Sequence, residues 1–308
     1  PGYTHLQIAQ PITLAHHILA YVEMIGRDRS RLKDCLYRLD ENPLGSAALA
    51  GTSFPIDRNY TTKELGFREP TKNAMDSVSD RDFVIEFIFV LSLISVHLSR
   101  LAEEIILWSN QQFNFIILPD ELSTGSSIMP QKRNPDGAEL VRGKTSLIIG
   151  NLNSILNILK GLPLSYSKDL QDDKSLIFTS YDNLLRSLKV MNEIISKSSF
   201  NKSKMKDTIE NSNSTATDLA NWLVQNLNYT FRDAYKTTGK IIAFCNKKNL
   251  NLEKLSLKEL QVFDKNINME AKNILSASNS IEIKSSFGGT SPKSTKNMIK
   301  FAIKKYLK

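Results

Sequence analysis

The strongest constraint on the fold is the spacing of apolar residues, which follows the period of an α-helix over long stretches. Residues Phe83 to Trp108 are apolar nearly all the way round, which is typical of a helix in the centre of a bundle. Two further stretches, Ala15 to Leu39 and Ile177 to Ile195, carry apolar residues three and four positions apart. Alternation with a period of two is hard to find. The sequence therefore predicts an all-α protein with an elongated bundle of long helices.

A fourth long helix has recognisable ends. Asn134 is predicted as its N-cap, Pro135 as its first helical residue and Asp136 as an acidic residue of the first turn. Gly161 and Pro163 are predicted to end it.

A change in composition predicts a domain boundary near residue 200. Residues 196–206 are rich in Ser, Lys and Asn, and shorter helical patterns follow them. One of these has a capping box, with Ser256 as the N-cap and Glu259 three residues later. We expect a bundle domain over residues 1–200 and a small C-terminal α-helical domain over residues 201–308.

Composition narrows the class of protein. Hydrophobic residues make up 41% and charged residues 23%, which excludes a disordered chain. Cys35 and Cys245 are the two cysteines, too few for a disulfide framework. The most apolar stretch, Phe87 to Val96, is shorter than the ~20 residues of a membrane span. These features predict a soluble protein of a reducing compartment, without a membrane partner. Because the chain starts at Pro1 in mid-motif, we also expect an N-terminal portion to be missing.

Three segments carry polar residues that packing does not explain. The first is Thr4-His5, just before the first helix. A histidine titrates near neutral pH and can transfer protons, so His5 is a candidate acid or base. The alternative is a local N-terminal turn.

The second segment, residues 123–136, is rich in Gly, Ser and Pro and lies between two long helices. Such a loop is typical of a lid, and its end meets a helix N-terminus, which favours an anion. Lys132 adds a positive charge, so the segment predicts a carboxylate-binding corner with Ser126 or Ser127 beside it. The alternative is a solvated connector in which Asn134 only caps its own helix.

The third segment, residues 161–174, places Tyr166, Gln171 and Lys174 within a turn or two of one another. A hydroxyl, an amide and a cation suit a polar ligand that carries a carboxylate. A charge-rich helix start is the alternative.

These segments resemble the motifs of the argininosuccinate lyase family, within the fumarase/aspartase superfamily. Gly125 to Pro135 resembles the superfamily signature loop. The resemblance covers the whole chain. Five shorter motifs narrow it to this lyase: Tyr3 to Gln7, Pro43 to Gly51, Lys160 to Pro163, Tyr166 to Lys174, and Phe287 to Thr290.

The resemblance implies a reversible elimination of argininosuccinate to arginine and fumarate, without cofactor or metal. It implies a cytoplasmic homotetramer in which the long central helices pack together and each active site draws on three subunits. It also implies that a preceding domain supplies further substrate contacts, so that this chain alone is expected to be crippled or inactive.

Site residues are carried over from the family by motif. Ser126 resembles the base that removes a proton from the succinyl Cβ. His5 resembles the histidine of the Thr-His pair, whose role is either protonation of the leaving group or proton relay. Lys132 resembles the catalytic cation that holds the succinyl carboxylate and the carbanion-like intermediate. The residues that resemble substrate contacts are Thr4, Asn134, Tyr166, Gln171 and Lys174. Glu139 resembles a partner of the histidine.

Three alternatives stay open at this point. The chain can act on a different substrate of the superfamily, as adenylosuccinate lyases, fumarases and aspartases do. It can be a structural protein without turnover, as some lens crystallins that resemble this family are. The third alternative is nucleic-acid binding, which the net charge of +8 suggests. The lysines are spread over the chain without interleaved aromatic residues, so no nucleic-acid partner is expected.

Overall fold

The computed structural model describes residues 1–307, and α-helices dominate this range. The all-α prediction is confirmed. In chain order the helices are α1 (Leu14–Leu39), α2 (Arg58–Leu65), α3 (Ala74–Ser79), α4 (Asp82–Ser109), α5 (Asp136–Leu159), α6 (Asp173–Lys197), α7 (Lys202–Glu210), α8 (Ala216–Leu227), α9 (Phe231–Lys248), α10 (Leu257–Gln261), α11 (Met269–Asn273), α12 (Ala277–Ile283) and α13 (Pro292–Ala302).

The β-structure consists of short strands of two to four residues. In chain order they are β1 (Gly2–Thr4), β2 (Gln7–Gln10), β3 (Glu41–Asn42), β4 (Glu69–Pro70), β5 (Ile116–Ile117), β6 (Thr124–Gly125), β7 (Arg133–Asn134) and β8 (Ser199–Phe200). Strands β1 and β2 pair antiparallel, as do β6 and β7, while β3 and β4 pair parallel. Both antiparallel pairs carry candidate site residues.

By internal contacts the chain divides into two compact units. The first unit, called here the bundle unit, comprises residues 24–112 and 116–199. Helices α4, α5 and α6 pack against one another in it. Val84, Ile88 and Ile155 form a buried cluster where α4 meets α5, and Ile177 of α6 lies against that cluster. The apolar faces of α4, α5 and α6 thus meet in one core.

Helix α4 lies at the centre of this bundle. It has 28 residues, and eleven of them are buried. It is the one helix of residues 1–307 that is long and apolar enough to cross a membrane by length and composition. The central helix of a packed bundle meets the same criterion, and 44% of its most apolar window is buried inside the protein.

The second compact unit, called here the terminal unit, comprises residues 1–23, 113–115 and 200–308. Helices α8 and α9 pack together there. Its core is built from fully buried side chains that include Leu223 of α8, Ile241 of α9 and Leu255. Because a division by contacts does not define domains, the predicted domains 1–200 and 201–308 stay a prediction.

The capping box predicted at the start of α10 is confirmed. The Ser256 hydroxyl accepts a hydrogen bond from the Glu259 N–H at 3.3 Å, and the Glu259 carboxylate accepts one from the Ser256 N–H at 2.8 Å. Two N–H groups of the first turn are thereby satisfied by residues that the sequence identifies.

The residues of the Phe287–Thr290 motif lie in the terminal unit and contact the start of α1. The Thr13 N–H donates to the hydroxyl of Thr290 at 2.9 Å, and Thr290 is buried. Gly289 lies against backbone, since a Cβ at this position would sit 2.4 Å from the Lys284 carbonyl oxygen. The motif is therefore a tight turn that only glycine can make at this point.

Candidate functional site

Thr4 and His5 lie on a β-hairpin that the sequence did not predict. Thr4 pairs with Gln7, and His5 and Leu6 form the two-residue connection with φ of 52° and 58°. Positive φ at both positions is the geometry of a type I′ turn, which usually takes Asn-Gly. His5-Leu6 lacks that signal, which explains why the sequence did not reveal the hairpin. The turn exposes the His5 side chain at its tip.

An aromatic cluster anchors the hairpin within the terminal unit. The Tyr3 ring lies 5.6 Å from that of Phe113 and 6.4 Å from that of Phe115, between ring centroids. Burial raises the pKa of the Tyr3 phenol. The residue next to Thr4 is thus fixed by packing, which holds the base of the hairpin in place.

Ser126 begins the loop between β6 and β7, where it accepts hydrogen bonds from the backbone. Its Oγ lies 3.0 Å from the Met129 N and 3.3 Å from the Ile128 N, and both N–H groups donate to it. The Ser126 N–H donates to the Lys132 carbonyl at 3.3 Å and closes the loop. Two N–H groups directed at one oxygen favour a negative charge on it. The neighbouring Ser127 is exposed.

Lys132 and Asn134 contact each other at the other end of this loop. The Lys132 ammonium donates to the Asn134 side-chain oxygen. Lys132 is exposed and Asn134 is half-buried. A ligand carboxylate at this end would meet both an ammonium and an amide group.

The prediction that Asn134 caps α5 was wrong. Asn134 is in β7, where it pairs with Thr124, and its side-chain oxygen is bonded to Lys132. Pro135 is the N-cap instead, without a side-chain cap, and α5 begins at Asp136. The Asp136 carboxylate accepts the Thr124 N–H at 3.0 Å. Pairing with β6 therefore overrides the local capping preference, and the Asn134 side chain is available to the loop.

Glu139, the predicted partner of the histidine, lies in the first turn of α5 and is exposed. It belongs to the bundle unit and His5 to the terminal unit. Its predicted role stays a prediction.

Tyr166 and Lys174 line a cavity of about 1210 Å³ in the bundle unit. Gln171 ends a 3₁₀ turn, Lys168–Gln171, and is exposed outside the lining of this cavity. The Lys174 ammonium lies 2.7 Å from a carboxylate oxygen of Asp173 and donates to the Leu170 carbonyl at 3.2 Å. The cavity is large enough for a small polar metabolite.

The motif Pro43 to Gly51 forms another part of the cavity wall, through its residues 43–47. Arg58 holds this segment with hydrogen bonds to the carbonyls of Leu44, at 3.0 Å, and of Thr71, at 2.8 Å. The Ser46 hydroxyl donates to Ser77 at 2.9 Å. From the sequence, this motif indicated only the family resemblance, and its position at the cavity was not predicted.

Sequence reasoning missed five ionisable residues in the lining of the cavity: Arg38, Glu41, Asp80, Arg81 and Asp173. Burial raises the pKa of the Asp80 carboxyl. Arg81 and Asp173 form a largely buried ion pair, with Nε and Oδ2 2.5 Å apart. They are 92 residues apart in the chain, so no local pattern could have paired them.

Seven of the nine candidate residues therefore fall into three groups, and Gln171 and Glu139 lie outside them. Ser126, Lys132 and Asn134 share one loop, Tyr166 and Lys174 share one cavity, and Thr4 and His5 share the hairpin of the terminal unit. The first group combines an oxygen supported by N–H donors with a cation, which suits proton abstraction next to a carboxylate.

Comparisons with known proteins agree with this chemistry. A protein-family model described as lyase matches residues 1–150, and one described as argininosuccinate lyase C-terminal matches residues 213–282.

Curated relatives match over nearly the whole chain. Argininosuccinate lyase 1 of Mesorhizobium japonicum is 50% identical over 308 residues, which is 100% of this chain and 66% of that protein. The argininosuccinate lyase of Chelativorans sp. is 52% identical over 301 residues, with 98% and 64% covered. The chain thus spans about two thirds or slightly less of the length of these relatives.

Among solved structures, a variant of EDDS lyase with bound fumarate superposes with a TM-score of 0.90 at 29% identity. The match covers 98% of this chain and 62% of that one.

Proposed function

Because the chain belongs to the argininosuccinate lyase family, we propose that the protein catalyses the reversible elimination of argininosuccinate to arginine and fumarate. The observation that carries the proposal is the environment of Ser126, whose oxygen accepts two backbone N–H groups in the loop that also carries Lys132.

In the proposed reaction, Ser126 in its alkoxide form takes the proton from the succinyl Cβ. A serine is a poor base in water, so this step needs N–H donors around the oxygen and a loop that excludes water. The Met129 and Ile128 N–H groups are such donors. Deprotonation beside a carboxylate builds a second negative charge, and in this proposal the Lys132 ammonium and the Asn134 amide bind it.

The electron pair left on Cβ then forms the double bond of fumarate, and the bond from Cα to the guanidinium nitrogen breaks. His5 donates a proton to this nitrogen, and arginine leaves. The turn that exposes His5 supports this role. Thr4, Tyr166, Gln171 and Lys174 are proposed to contact the substrate, and Glu139 to support the histidine.

We further propose that the whole protein works as a cytoplasmic homotetramer with active sites shared between subunits. Support comes from large apolar side chains that stay exposed on the bundle helices of the single chain, such as Phe89 of α4, Leu147 of α5 and Tyr181 of α6. Surfaces of this kind mark contacts between subunits.

Fumarate absorbance in the ultraviolet tests the proposal on the full-length protein. We expect release of fumarate from argininosuccinate and much slower release from adenylosuccinate, malate, aspartate and EDDS. Faster turnover of one of the others would identify a different lyase of the same superfamily. No turnover of any of them would favour a structural protein.

A further inference from the structure

Arg81 and Asp173 form a buried ion pair at the wall of the cavity. Their side chains are 13% and 7% exposed, and Arg81 Nε lies 2.5 Å from Asp173 Oδ2. Arg81 directly precedes α4, and Asp173 is the first residue of α6. Arg81 also donates to the Asp80 carbonyl at 2.6 Å. The guanidinium is thus held by backbone on one side and directed at a single carboxylate on the other.

The second oxygen of the same carboxylate contacts Lys174. Asp173 Oδ1 lies 2.7 Å from the Lys174 ammonium, which also donates to the Leu170 carbonyl at 3.2 Å. An ammonium has three donors, of which the Leu170 carbonyl engages one, whereas the contact with Asp173 Oδ1 is an ion pair without hydrogen-bond geometry. The Lys174 side chain is 55% exposed and lines the cavity. Arg81, Asp173 and Lys174 therefore form a continuous row of charges from the helix ends to the cavity.

A contribution to the stability of the fold does not explain why Arg81 and Asp173 form a buried ion pair. Removing two charges from water is costly, and an apolar pair of similar volume is often as stable as a buried ion pair. Elsewhere in the bundle unit, Arg142 of α5 and Glu103 of α4 form an exposed ion pair, both with 44% exposed side chains, whereas the contact of Asp28 of α1 with His97 of α4 is largely buried. A buried pair that ends at an exposed lysine on a cavity suggests that its task is to fix the lysine.

We propose that Arg81 and Asp173 are positioning residues that hold the Lys174 ammonium where a carboxylate of the substrate binds. This rests on the proposed function. Arg81 fixes the orientation of the Asp173 carboxylate through Oδ2, and Asp173 fixes the ammonium through Oδ1. A lysine held in this way loses less rotamer freedom when the ligand binds. Arg81 and Asp173 act only through Lys174, without contact to the reacting atoms.

A double-mutant cycle in the full-length protein tests the proposal. Asp173→Asn and Lys174→Met are each expected to raise KM for argininosuccinate about tenfold, with kcat changed less than about threefold. The double variant is expected to match Lys174→Met alone, because the carboxylate acts only through the ammonium. If the two effects on KM multiply, or if Asp173→Asn leaves KM unchanged, the proposal is wrong.

Two controls separate positioning from folding. Glu103→Gln removes the exposed pair between α4 and α5 and is expected to leave KM unchanged. The apolar double variant Arg81→Met, Asp173→Leu is expected to unfold at about the same temperature as the parent and still to show the raised KM. A folded apolar variant with parental KM would overturn the proposal.

Lysine labelling gives a readout that does not depend on turnover. With trinitrobenzenesulfonate and mass spectrometry, Lys174 is expected to react several times faster in Asp173→Asn, while Lys72, with an 81% exposed side chain, serves as reference. Unchanged labelling of Lys174 would contradict the positioning role. Failure of the parent to cleave argininosuccinate would contradict the proposed function instead, and the labelling result would still decide whether Asp173 holds Lys174.

Discussion

At the scale of single residues, the hydroxyl of Ser126 has the surroundings that a basic oxygen needs. Two backbone N–H groups donate to it, and the loop that provides them also carries Lys132. Ser127 is adjacent but exposed. The composition of the loop left both serines open and the family resemblance pointed to Ser126, and the two hydrogen bonds also favour Ser126.

Replacing Ser126 by Ala in the full-length protein is expected to lower kcat for argininosuccinate by about a thousandfold or more, since the proton acceptor is gone. Binding of fumarate, measured by calorimetry, is expected to stay within about threefold. Ser127→Ala is the matched control and should retain most of the activity. A Ser126→Ala variant with the parental rate would refute the assigned base.

Glu259 provides a residue with a defined dependence on pH. The ion pair with Lys248 and the hydrogen bonds from Ser256 lower the pKa of the Glu259 carboxyl to about 2. A carboxyl with a lowered pKa in the folded state stabilises the protein above its ordinary pKa of 4.5 and loses this effect as pH falls toward 2.

Glu259→Gln is therefore expected to lower the thermal midpoint near pH 6, with the difference from the parent shrinking between pH 4.5 and 2. Scanning calorimetry across this range measures it. The exposed Glu270, in the first turn of α11, is the control, and Glu270→Gln should show a smaller pH-dependent difference. A constant difference from pH 6 to pH 2 would mean that the Glu259 carboxylate has no such role.

At the scale of elements, the hairpin with Thr4 and His5 has an unusual connection. Leu6 has a φ of 58° and its side chain is 63% exposed, so it adopts a strained backbone without gaining a buried contact. Glycine adopts this backbone without strain, whereas a β-branched residue is strongly disfavoured there.

Leu6→Gly is accordingly expected to preserve or raise stability by up to about 1 kcal/mol, and Leu6→Val to lower it by about 1 kcal/mol or more. Urea unfolding of both variants measures the difference. If Val is tolerated as well as Gly, the turn does not have positive φ in solution.

Sequence patterns predicted elements where local signals dominate. The apolar face of α4 and the capping box at Ser256 follow directly from spacing, and both are present. The predicted start of α5 was wrong because Asn134 pairs with Thr124 and its side chain binds Lys132. A capping preference describes only the contacts of a residue with its own helix, so it does not account for these two contacts. The hairpin at His5 was missed because its turn lacks the usual residues.

At the scale of the whole chain, each compact unit has its own apolar core. Ile155 is fully buried between α5 and α4, beside Val84 and Ile88. Ile155→Ala is expected to lower the free energy of unfolding by about 2–5 kcal/mol, since it leaves a cavity in close-packed surroundings. Asn153→Ala, at an exposed position of α5, is the control, with an expected change within about 0.5 kcal/mol. Denaturant titration measures both, and equal effects would contradict the described core.

Contacts between segments that are distant in the chain could not be predicted from the sequence. Residues 1–23 share a compact unit with residues 200–308, and Thr13 bonds to Thr290 across 277 positions. The Arg81–Asp173 pair likewise joins distant segments. Periodicity and capping report on neighbours within a few turns, so the bundle was predictable while the cavity wall was not.

Helix α4 is made before the two helices that cover it. As the chain leaves the ribosome, this apolar segment emerges first and stays uncovered until α6 has been translated, at roughly 5–20 residues per second, for several seconds. During that interval it presents the same surface as a segment destined for a lipid bilayer. We therefore expect nascent chains to be prone to aggregation during this interval, and pauses in translation between α4 and α6 to raise the fraction that aggregates.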